Sequence, residues 1–591
     1  MNTPSNNETH STGSGQAKVC QSCKKEFTID AQDFAFYEKV AVPPPTWCPL
    51  CRARRRFAFR NERNLYKVKS DATGKDIFSM YSPEAGYKVY EKDYWISDNW
   101  DPMEYGMEID WSKPFLAQVH ELWKKVPMKN LNLINNVNSD FCNLFTNPRN
   151  CYLVFNGNDS ENCLYGNGLT NCRECIDISH VGKCEQCYEG FWLTSCAKTH
   201  FSSECESCVN VLFSKNCVGC TDCFGCVGLR NKQYYIWNES YSKEDYFKKL
   251  EELDWQSHKN IESLKKQAKE FWLKFPNKYL VGSHNTDVSG SYISHSKNVK
   301  DSFLVREAED CRYCQYMQEL PGSKDCYDYS IWGDNNQLVY ESCSCGVNTN
   351  RLKFCLYVQE SVHDIEYSIL CENSEYLFGC VGLRKKAYCI LNKQYSKEAF
   401  DELRLKIIQH MKDTPYVDEQ QRVYSYGEFF PPEFSPWAYN ETIAFDYFPL
   451  NESEAKEKGS AWRKPAEKQF AITLKPENIP DRISETQDSI LDEIIGCEHG
   501  STGSPQVPAC AHQCTTAFKI TPAELQFYRD NNLPVPHKCP VCRHYERLAQ
   551  RSKLELYDRA CAKCGTVFKT SYSPDRPEII FCEKCYQQEV V

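Results

Sequence analysis

The chain of 591 residues lacks any long uninterrupted apolar run. A helix needs about 20 such residues in succession to cross a bilayer, so the sequence excludes a membrane-spanning helix. Its first residues are rich in Asn, Ser, Thr and Gly and contain no apolar core of a secretory signal, which is typical of a flexible tail. We therefore expect a cytoplasmic protein.

Signatures of common catalytic sites are missing as well. The sequence contains no Walker-type phosphate-binding loop, no GxSxG nucleophile motif and no HExxH metalloprotease motif. No reaction is therefore disclosed by a motif. The net charge of −10 argues against uniform coating of nucleic acid, although positive charge can still be concentrated locally.

Cysteine, in contrast, is abundant, with 36 residues in the chain. A reducing compartment disfavours a structural disulfide framework, and cysteines spaced by two residues then indicate metal sites first. The length, with 41% hydrophobic and 13% aromatic residues, predicts several globular domains.

Related cysteine modules stand near both ends of the chain. Each consists of two closely spaced cysteine pairs, and two such pairs can surround one zinc ion with four thiolates at a Zn–S distance of about 2.3 Å. We expect three zinc ions per chain on these ligands. The predicted ligands are Cys20, Cys23, Cys48 and Cys51, then Cys510, Cys514, Cys539 and Cys542, and finally Cys561, Cys564, Cys582 and Cys585.

The first two modules match beyond their ligands, because Phe36-Tyr37 and Phe527-Tyr528 occupy the same place in each. The same offset aligns residues 67–110 with the third cysteine module. There the ligand positions hold Ser70, Thr73, Glu91 and Tyr94. We expect a ribbon-like module that has kept its fold and lost its metal.

These motifs carry a resemblance. The first two modules resemble the family named "probable zinc-ribbon", with its Phe-x-Phe/Tyr-Tyr centre and Cys-Pro-x-Cys-Arg close, and the third resembles the CxxC-x17-CxxC zinc-finger family, including its turn at 574–577. The whole chain is similar to uncharacterised large zinc-ribbon proteins of small-genome bacteria. The resemblance implies zinc binding and no known reaction.

Between the modules, cysteines recur every 21 residues, with short strand-length segments punctuated by Asn and Gly. Such a period is the signature of a solenoid. The segments 224–244 and 378–398 are identical at 15 of 21 positions, so the middle is duplicated. The main ladder is Cys142, Cys163, Cys184, Cys205 and Cys226.

The predicted fold class is mainly β and multidomain, with terminal zinc-ribbon or treble-clef-like modules flanking a duplicated parallel β-solenoid with capping helices. Ser242 and Ser396 are predicted to cap helices that follow the two duplicated segments. The expected divisions are a disordered tail at 1–17, zinc ribbon 1 at 18–66, a metal-free ribbon-like module at 67–110, a helical linker at 111–135, solenoid 1 at 136–240, a helical connector at 241–280, solenoid 2 at 281–394, a helix at 395–415, an irregular linker at 416–505, zinc ribbon 2 at 506–555 and zinc ribbon 3 at 556–591.

The ladder cysteines allow two interpretations. Cysteine is small and apolar and suits a crowded interior, or a row of thiolates could bind zinc or an iron–sulfur cluster. We favour packing, because the ladder shows no regular four-ligand constellation. The run from Cys217 to Cys226 is the exception, although a strand would point its alternate thiols to opposite faces.

The segment that follows Cys51 is strongly basic, with eight Lys and Arg residues against Glu62 alone up to Lys69. Aromatic residues lie between the basic ones, a combination used for phosphates and stacked bases. The alternative is a helix whose arginines pair with acidic groups of the same protein or of a protein partner. The nucleic-acid candidates are Arg52, Arg54, Arg55, Arg56, Arg60 and Arg63.

The leading functional hypothesis is a non-enzymatic zinc-binding scaffold whose terminal ribbons bind nucleic acid or protein partners. One alternative is a β-helix enzyme acting on carbohydrate, with carboxylates drawn from Asp301, Asp310, Asp325, Asp328 and Asp334. Another is a thiol or metal redox protein, although the paired cysteines are needed for metal and no thioredoxin-like context is present.

Overall fold

The computed structural model describes residues 15–318, 321–464, 470–501 and 513–590. Most regular structure in these ranges is strand, arranged in several sheets, and the longest helix, Lys397–Asp413, has 17 residues. The predicted tail at 1–17 lies almost entirely outside the described residues. No helix in the described ranges combines the length and the apolar character needed to cross a membrane.

The helices are short and separate the sheets from one another. Ser242 and Ser396 cap two of them as predicted, since their hydroxyls accept hydrogen bonds from the backbone N–H of Asp245 and Ala399. The α-helices of the described ranges are Ala31–Lys39, Pro49–Phe57, Lys92–Trp95, Phe115–Lys125, Lys243–Leu253, His258–Trp272, Lys397–Asp413, Ile443–Tyr447, Glu452–Glu457, Glu498–Ser501, Pro522–Asp530, Pro540–Leu548 and Glu583–Val590.

The first half of the middle, which we call the first core, consists of short parallel strands joined in chain order. Phe155 pairs with Asn167, Asn167 with Ser179 and Ser179 with Phe191, each 12 residues further along the chain. Its strands are Leu133–Ile134, Asn143–Thr146, Phe155–Asn158, Asn167–Thr170, Ser179–Gly182, Phe191–Thr194, Val209–Leu212, Thr221–Phe224, Gln233–Ile236 and the antiparallel Glu239–Ser240.

The second half, the second core, is a 12-stranded sheet of the same kind. All pairs are parallel except the last, and several are offset by 13 residues. Its strands are Gly282–Ser283, Thr286–Ser294, Lys297–Arg306, Glu309–Arg312, Gln315–Met317, Lys324–Trp332, Gln337–Cys345, Thr349–Lys353, Val362–Glu366, Glu375–Phe378, Ala387–Ile390 and Lys393–Gln394.

Backbone conformation in the first core repeats every three residues. From Leu144 to Trp237 every third residue has a positive φ, and many of these positions are Asn, Asp or Gly, which tolerate that conformation. Each cysteine from Cys151 to Cys226 directly follows such a residue. The strand offset is therefore 12 residues and not the 21 expected from the cysteine ladder, because both numbers are multiples of the true period of three.

The ladder cysteines are all buried in the hydrophobic interior. Their thiols donate hydrogen bonds to the backbone carbonyl two residues earlier, as Cys184 does to Gly182 at 3.4 Å. Serine performs the same task where it replaces cysteine, since the Ser202 hydroxyl donates to the His200 carbonyl at 2.9 Å. The position requires a small side chain with one donor.

The terminal modules are small hairpin-and-helix units. Antiparallel hairpins pair Gln16–Val19 with Glu26–Ile29 at the N-terminus and Tyr557–Ala560 with Val567–Thr570 at the C-terminus. A third hairpin, Tyr66–Lys69 with Asp76–Ser79, lies in the predicted metal-free module. These hairpins are too small to enclose a core of their own, so their stability depends on other contacts.

Both terminal regions pack against the middle of the chain. Aromatic residues between 424 and 448, such as Tyr424, Phe429 and Trp437, lie in the same buried cluster as the N-terminal module. The segment expected as an irregular linker therefore contributes to the core, and it contains short helices at Ile443–Tyr447 and Glu452–Glu457.

Candidate metal centres

The first centre combines Cys20, Cys23, Cys48 and Cys51, as predicted. Cys20 and Cys23 lie in the turn of the N-terminal hairpin, while Cys48 caps the helix Pro49–Phe57 and Cys51 lies in its first turn. The sulfurs of Cys23 and Cys48 are 3.8 Å apart, and the backbone N–H of Cys48 donates to the Cys20 sulfur at 3.2 Å. Hairpin and helix are thus joined at one point.

The second centre contains Cys514, Cys539 and Cys542 as predicted, with Cys497 as its fourth thiol. Cys510 lies outside the described residues. Cys497 follows the strand Ile495–Gly496, which pairs with Ala517–Phe518 just as the corresponding strand does in the first module. Cys497 therefore occupies the place of Cys20, and 16 residues separate it from Cys514.

Sulfur contacts in the second centre are short. The Cys497 and Cys542 sulfurs are 3.7 Å apart, and those of Cys514 and Cys539 are 3.9 Å apart. The backbone N–H of Cys539 donates to the Cys497 sulfur at 3.2 Å, which repeats the contact between Cys48 and Cys20 in the first centre. The two centres thus have the same local geometry.

The third centre contains Cys561, Cys564, Cys582 and Cys585, as predicted. Cys564 is exposed, whereas Cys561 and Cys585 are buried. The sulfurs of Cys564 and Cys582 are 3.7 Å apart. Although burial opposes it, the backbone N–H of Cys582 helps to lower the pKa of Cys561 to about 6.

All three donor sets fit a tetrahedral metal ion. Within each group the four sulfurs lie within 4.8 Å of one another. A Zn–S distance of about 2.3 Å implies sulfur atoms about 3.8 Å apart, close to the contacts observed. Hydrogen bonding with Cys48 holds the pKa of Cys20 far below its usual range, so a thiolate is favoured there. Four thiolates are typical of structural zinc.

The predicted metal-free module is closed by hydrogen bonds at the corresponding positions. The carboxylate of Glu91 accepts a hydrogen bond from the Thr73 hydroxyl at 2.7 Å and a second from the Ser70 hydroxyl. Asp71 accepts from the backbone N–H of Val89 at 2.7 Å. A carboxylate therefore joins the two halves of this module.

The ladder thiols form none of the metal-binding groups found among the described residues. They stand in columns instead, where each sulfur has neighbours one strand away, as Cys163 has in Cys151 and Cys175. Cys217, Cys220, Cys223 and Cys226 are all fully buried, which the three-residue period explains and strand alternation does not. Burial raises the pKa of Cys142 to about 12.

The helix after the first centre, Pro49–Phe57, is inserted against the second core, and we call it the first docking helix. Arg52 and Arg56 both pair with the buried carboxylate of Asp328, at 2.7 and 3.3 Å. Arg55 pairs with Glu341 at 2.5 Å and with Glu428 at 3.1 Å. Burial raises the pKa of Glu341, although Arg55 opposes the shift.

The helix after the second centre, Pro540–Leu548, is inserted against the first core in the same way, and we call it the second docking helix. Arg543 and Arg547 both pair with the buried carboxylate of Asp177, each at 2.8 Å. The Arg547 guanidinium also donates to the carbonyl of Tyr165 at 3.1 Å, and Arg543 lies over the Tyr165 ring.

Aromatic contacts accompany both sets of ion pairs. Phe36 stacks on Tyr327 with ring centroids 3.8 Å apart. In the C-terminal module Phe527 and Tyr528 pack around Tyr188, at 6.1 and 5.8 Å. The docking is crossed, since the N-terminal module contacts the second core and the C-terminal module contacts the first.

Most of the arginines proposed to contact nucleic acid are buried. Arg52, Arg55, Arg56 and Arg60 are at most 3% exposed, and each pairs with a carboxylate of this chain. In this conformation they cannot reach a phosphate, so the alternative of internal pairing describes them. The two remaining candidates are partly buried: Arg54 donates to the Cys51 sulfur, and Arg63 contacts His544.

The aspartates considered for carbohydrate chemistry do not converge on one site. Asp328 is buried beneath Arg52 and Arg56, and Asp325 pairs with Lys39 at 3.0 Å. Asp310 accepts a hydrogen bond from the Asn298 amide on the neighbouring strand. Their contacts are those of structural residues.

Comparison with known proteins adds little. No protein-family model matches the chain. No curated protein matches it. A solved structure from Desulfovibrio desulfuricans G20, named as an acetyltransferase, aligns with 40% of this chain and 63% of its own, less than two thirds of its length, at 11% identity and a TM-score of 0.09. At that TM-score the match carries no argument.

Proposed function

We propose that the protein is a non-enzymatic, zinc-stabilised scaffold in which the terminal ribbons dock on the chain's own parallel-strand cores. The observation that carries the proposal is the position of the last two ligands of each docked module. Cys48 and Cys539 cap the docking helices, and the first-turn ligands Cys51 and Cys542 directly precede Arg52 and Arg543. A metal at either centre would fix the start of the helix that carries the arginines.

Zinc is the metal that we assign to the three centres. Four thiolates, closed tetrahedral spacing and no open coordination position suit a structural zinc ion. The metal would supply the folding energy that such small hairpins lack, because binding to a site absent from the unfolded chain stabilises the fold. We place the protein in the cytoplasm, where these thiols would stay reduced.

The cores are, in this proposal, two solenoids in which each strand belongs to the next coil. A constant 12-residue offset, parallel pairing in chain order and a left-handed residue at every third position support it. Their outer faces carry exposed ladders of Asn and Asp, for example the hydrogen bond from Asn135 to Asn147 at 2.8 Å. We assign the zinc ribbons, as the resemblance implies, to the zinc-ribbon class.

Hydrogen exchange of the full-length protein, with metal and after chelation under reducing conditions, tests the proposal. We expect metal removal to increase exchange in the strands beneath the docking helices, Lys324–Trp332 and Ser179–Gly182. The strand Ala387–Ile390, which packs near the helix Lys397–Asp413, is the internal control. Unchanged exchange beneath both docking helices after complete metal loss would show that metal and docking are independent.

A further inference from the structure

A cleft of about 530 Å³ lies away from the three metal centres. It is formed by the helix Phe115–Lys125 together with separate segments around residues 416–420, 433–434 and 456–461. This volume is within the range of small-molecule sites, which are commonly a few hundred cubic ångströms. Neither the zinc centres nor the docking helices line it.

One side of the cleft is aromatic. The ring of His120 stacks on Phe434 with centroids 4.1 Å apart, and Tyr416 meets Phe434 edge to face at 5.0 Å. Burial lowers the pKa of His120 to about 4, so its imidazole is neutral near pH 7. His120 therefore adds an aromatic face and no positive charge.

The carboxylates of the cleft have no cationic partner. Among the described residues neither Glu419 nor Glu433 forms a salt bridge, and Glu433 accepts a hydrogen bond from the Tyr416 hydroxyl. The nearby cations are engaged elsewhere, since Lys456 pairs with Glu452 at 2.7 Å and Arg422 with Asp418 at 2.6 Å.

Burial, together with repulsion from Asp418 and Glu419, raises the pKa of Glu433. A positive charge placed beside Glu433 would relieve both effects, because it replaces the lost hydration and offsets the repulsion. Aromatic faces attract cations as well.

We propose that this cleft binds a small organic cation. Its ammonium group lies between Glu419 and Glu433, and its apolar part lies against Phe434 and Tyr416. The chemistry selects a primary or substituted ammonium with a short carbon chain over a neutral molecule of the same size.

Two matched probes test the proposal on the zinc-loaded full-length protein: 1,5-diaminopentane and the neutral 1,5-pentanediol. We expect calorimetry and saturation-transfer NMR to detect the diamine and not the diol. Replacing the partly buried carboxylate with Glu433→Gln should weaken diamine binding about tenfold or more, equivalent to about 1.4 kcal/mol.

Glu419→Gln is a second test variant, because this exposed position should tolerate the change without loss of fold. Glu477→Gln, which is exposed and lies outside the cleft, is the control and should bind the diamine as the native protein does. Equal binding of diol and diamine, no diamine binding at millimolar concentration, or unchanged affinity in both cleft variants would overturn the proposal.

Discussion

The thiols of this protein occupy two kinds of surroundings. At each metal centre four sulfurs surround one point, and backbone N–H groups such as that of Cys48 point at them. In the cores each thiol is instead a donor to a carbonyl two residues earlier, as in Cys184 and Cys205. Spacing to other sulfurs therefore separates ligand thiols from packing thiols.

Replacing a core thiol tests this distinction. We expect Cys184→Ala to destabilise the protein by about 1 kcal/mol or somewhat more, since a small buried group and its hydrogen bond are lost. Cys184→Ser should cost less, because serine fills equivalent positions such as 202 and 214. Urea denaturation measures both variants, and Cys205→Ala should behave like Cys184→Ala.

The zinc content of these variants is the control. It should stay at the native value in all three, because none of the replaced thiols belongs to a metal centre. Loss of metal from Cys184→Ala or Cys205→Ala would contradict the packing role.

The assignment of Cys497 can be tested against Cys510. Cys497→Ser should remove one zinc ion per chain, since it leaves three thiols at the second centre, whereas Cys510→Ser should retain the full content. Elemental analysis of the purified variants gives the answer. The opposite pattern, with metal lost only from Cys510→Ser, would restore the ligand set expected from sequence.

These ligands also show what a sequence can reveal about a site. Pairs such as Cys539 and Cys542 are local, so spacing alone identifies them. Cys497 could not be identified in the same way, because an insertion separates it from Cys514 and places Cys510 at a suitable spacing instead. The strand Ile495–Gly496, matched against its counterpart in the first module, was the available signal.

Buried histidine makes stability depend on pH. His200 is 4% exposed, and burial lowers its pKa from an ordinary 6.5 to about 3. Below pH 6.5 the unfolded chain binds a proton here that the folded protein does not bind. The free energy of unfolding should therefore fall by about 1.4 kcal/mol per pH unit from this residue as pH drops from 6.5 towards 3.

His200→Leu isolates that contribution, because the neighbouring strand carries Leu212 at the paired position. Denaturation midpoints measured from pH 7.5 to 5.5 should fall less steeply in the variant than in the native protein, with the effects of other groups common to both. Identical slopes would mean that His200 is protonated equally in the folded and unfolded states.

At the scale of elements, the two docking helices repeat one arrangement. Each begins at a metal ligand, and arginines four residues apart meet one buried aspartate, Asp328 in one case and Asp177 in the other. Buried ion pairs of this kind contribute little net stability, but removing one partner leaves an unpaired buried charge. They should therefore make docking specific for one position.

Arg547→Met tests the second docking helix. It should destabilise the protein by about 3–5 kcal/mol, because Asp177 loses a partner in a buried site. Arg529→Met, on the same module but in a surface pair with Asp488, is the matched control and should have a small effect. Chemical denaturation compares them.

The double variant Arg547→Met with Asp177→Asn should lose less stability than the two single variants added together, since the unpaired charge is removed. If Arg547→Met costs no more than Arg529→Met, the ion pair does not secure the helix.

Sequence reasoning predicted the helices and strands of the middle better than their period or their partners. Caps at Ser242 and Ser396 follow from local chemistry and are confirmed. The 12-residue offset was missed because cysteine occupies only some of the equivalent positions, so a spacing of 21 also fits. The pairing of Arg52 with Asp328 spans 276 residues, and no local pattern connects them.

At the scale of the whole molecule, the ends of the chain are crossed over its middle. The N-terminal module contacts the second core, the C-terminal module contacts the first, and the segment around Phe429 and Trp437 is buried with the N-terminal module. The third module also joins the middle, since Asn277–Lys278 pairs with Ile580–Phe581. Metal at the ends would therefore stabilise the entire chain.

The central claim is that three four-thiolate centres, and none of the core thiols, bind metal. Native mass spectrometry of the full-length protein, purified under reducing conditions, counts the bound ions directly. The account predicts three zinc ions per chain. Four or more ions per chain would place metal among the core thiols, and two or fewer would mean that at least one of the three centres is not a zinc site.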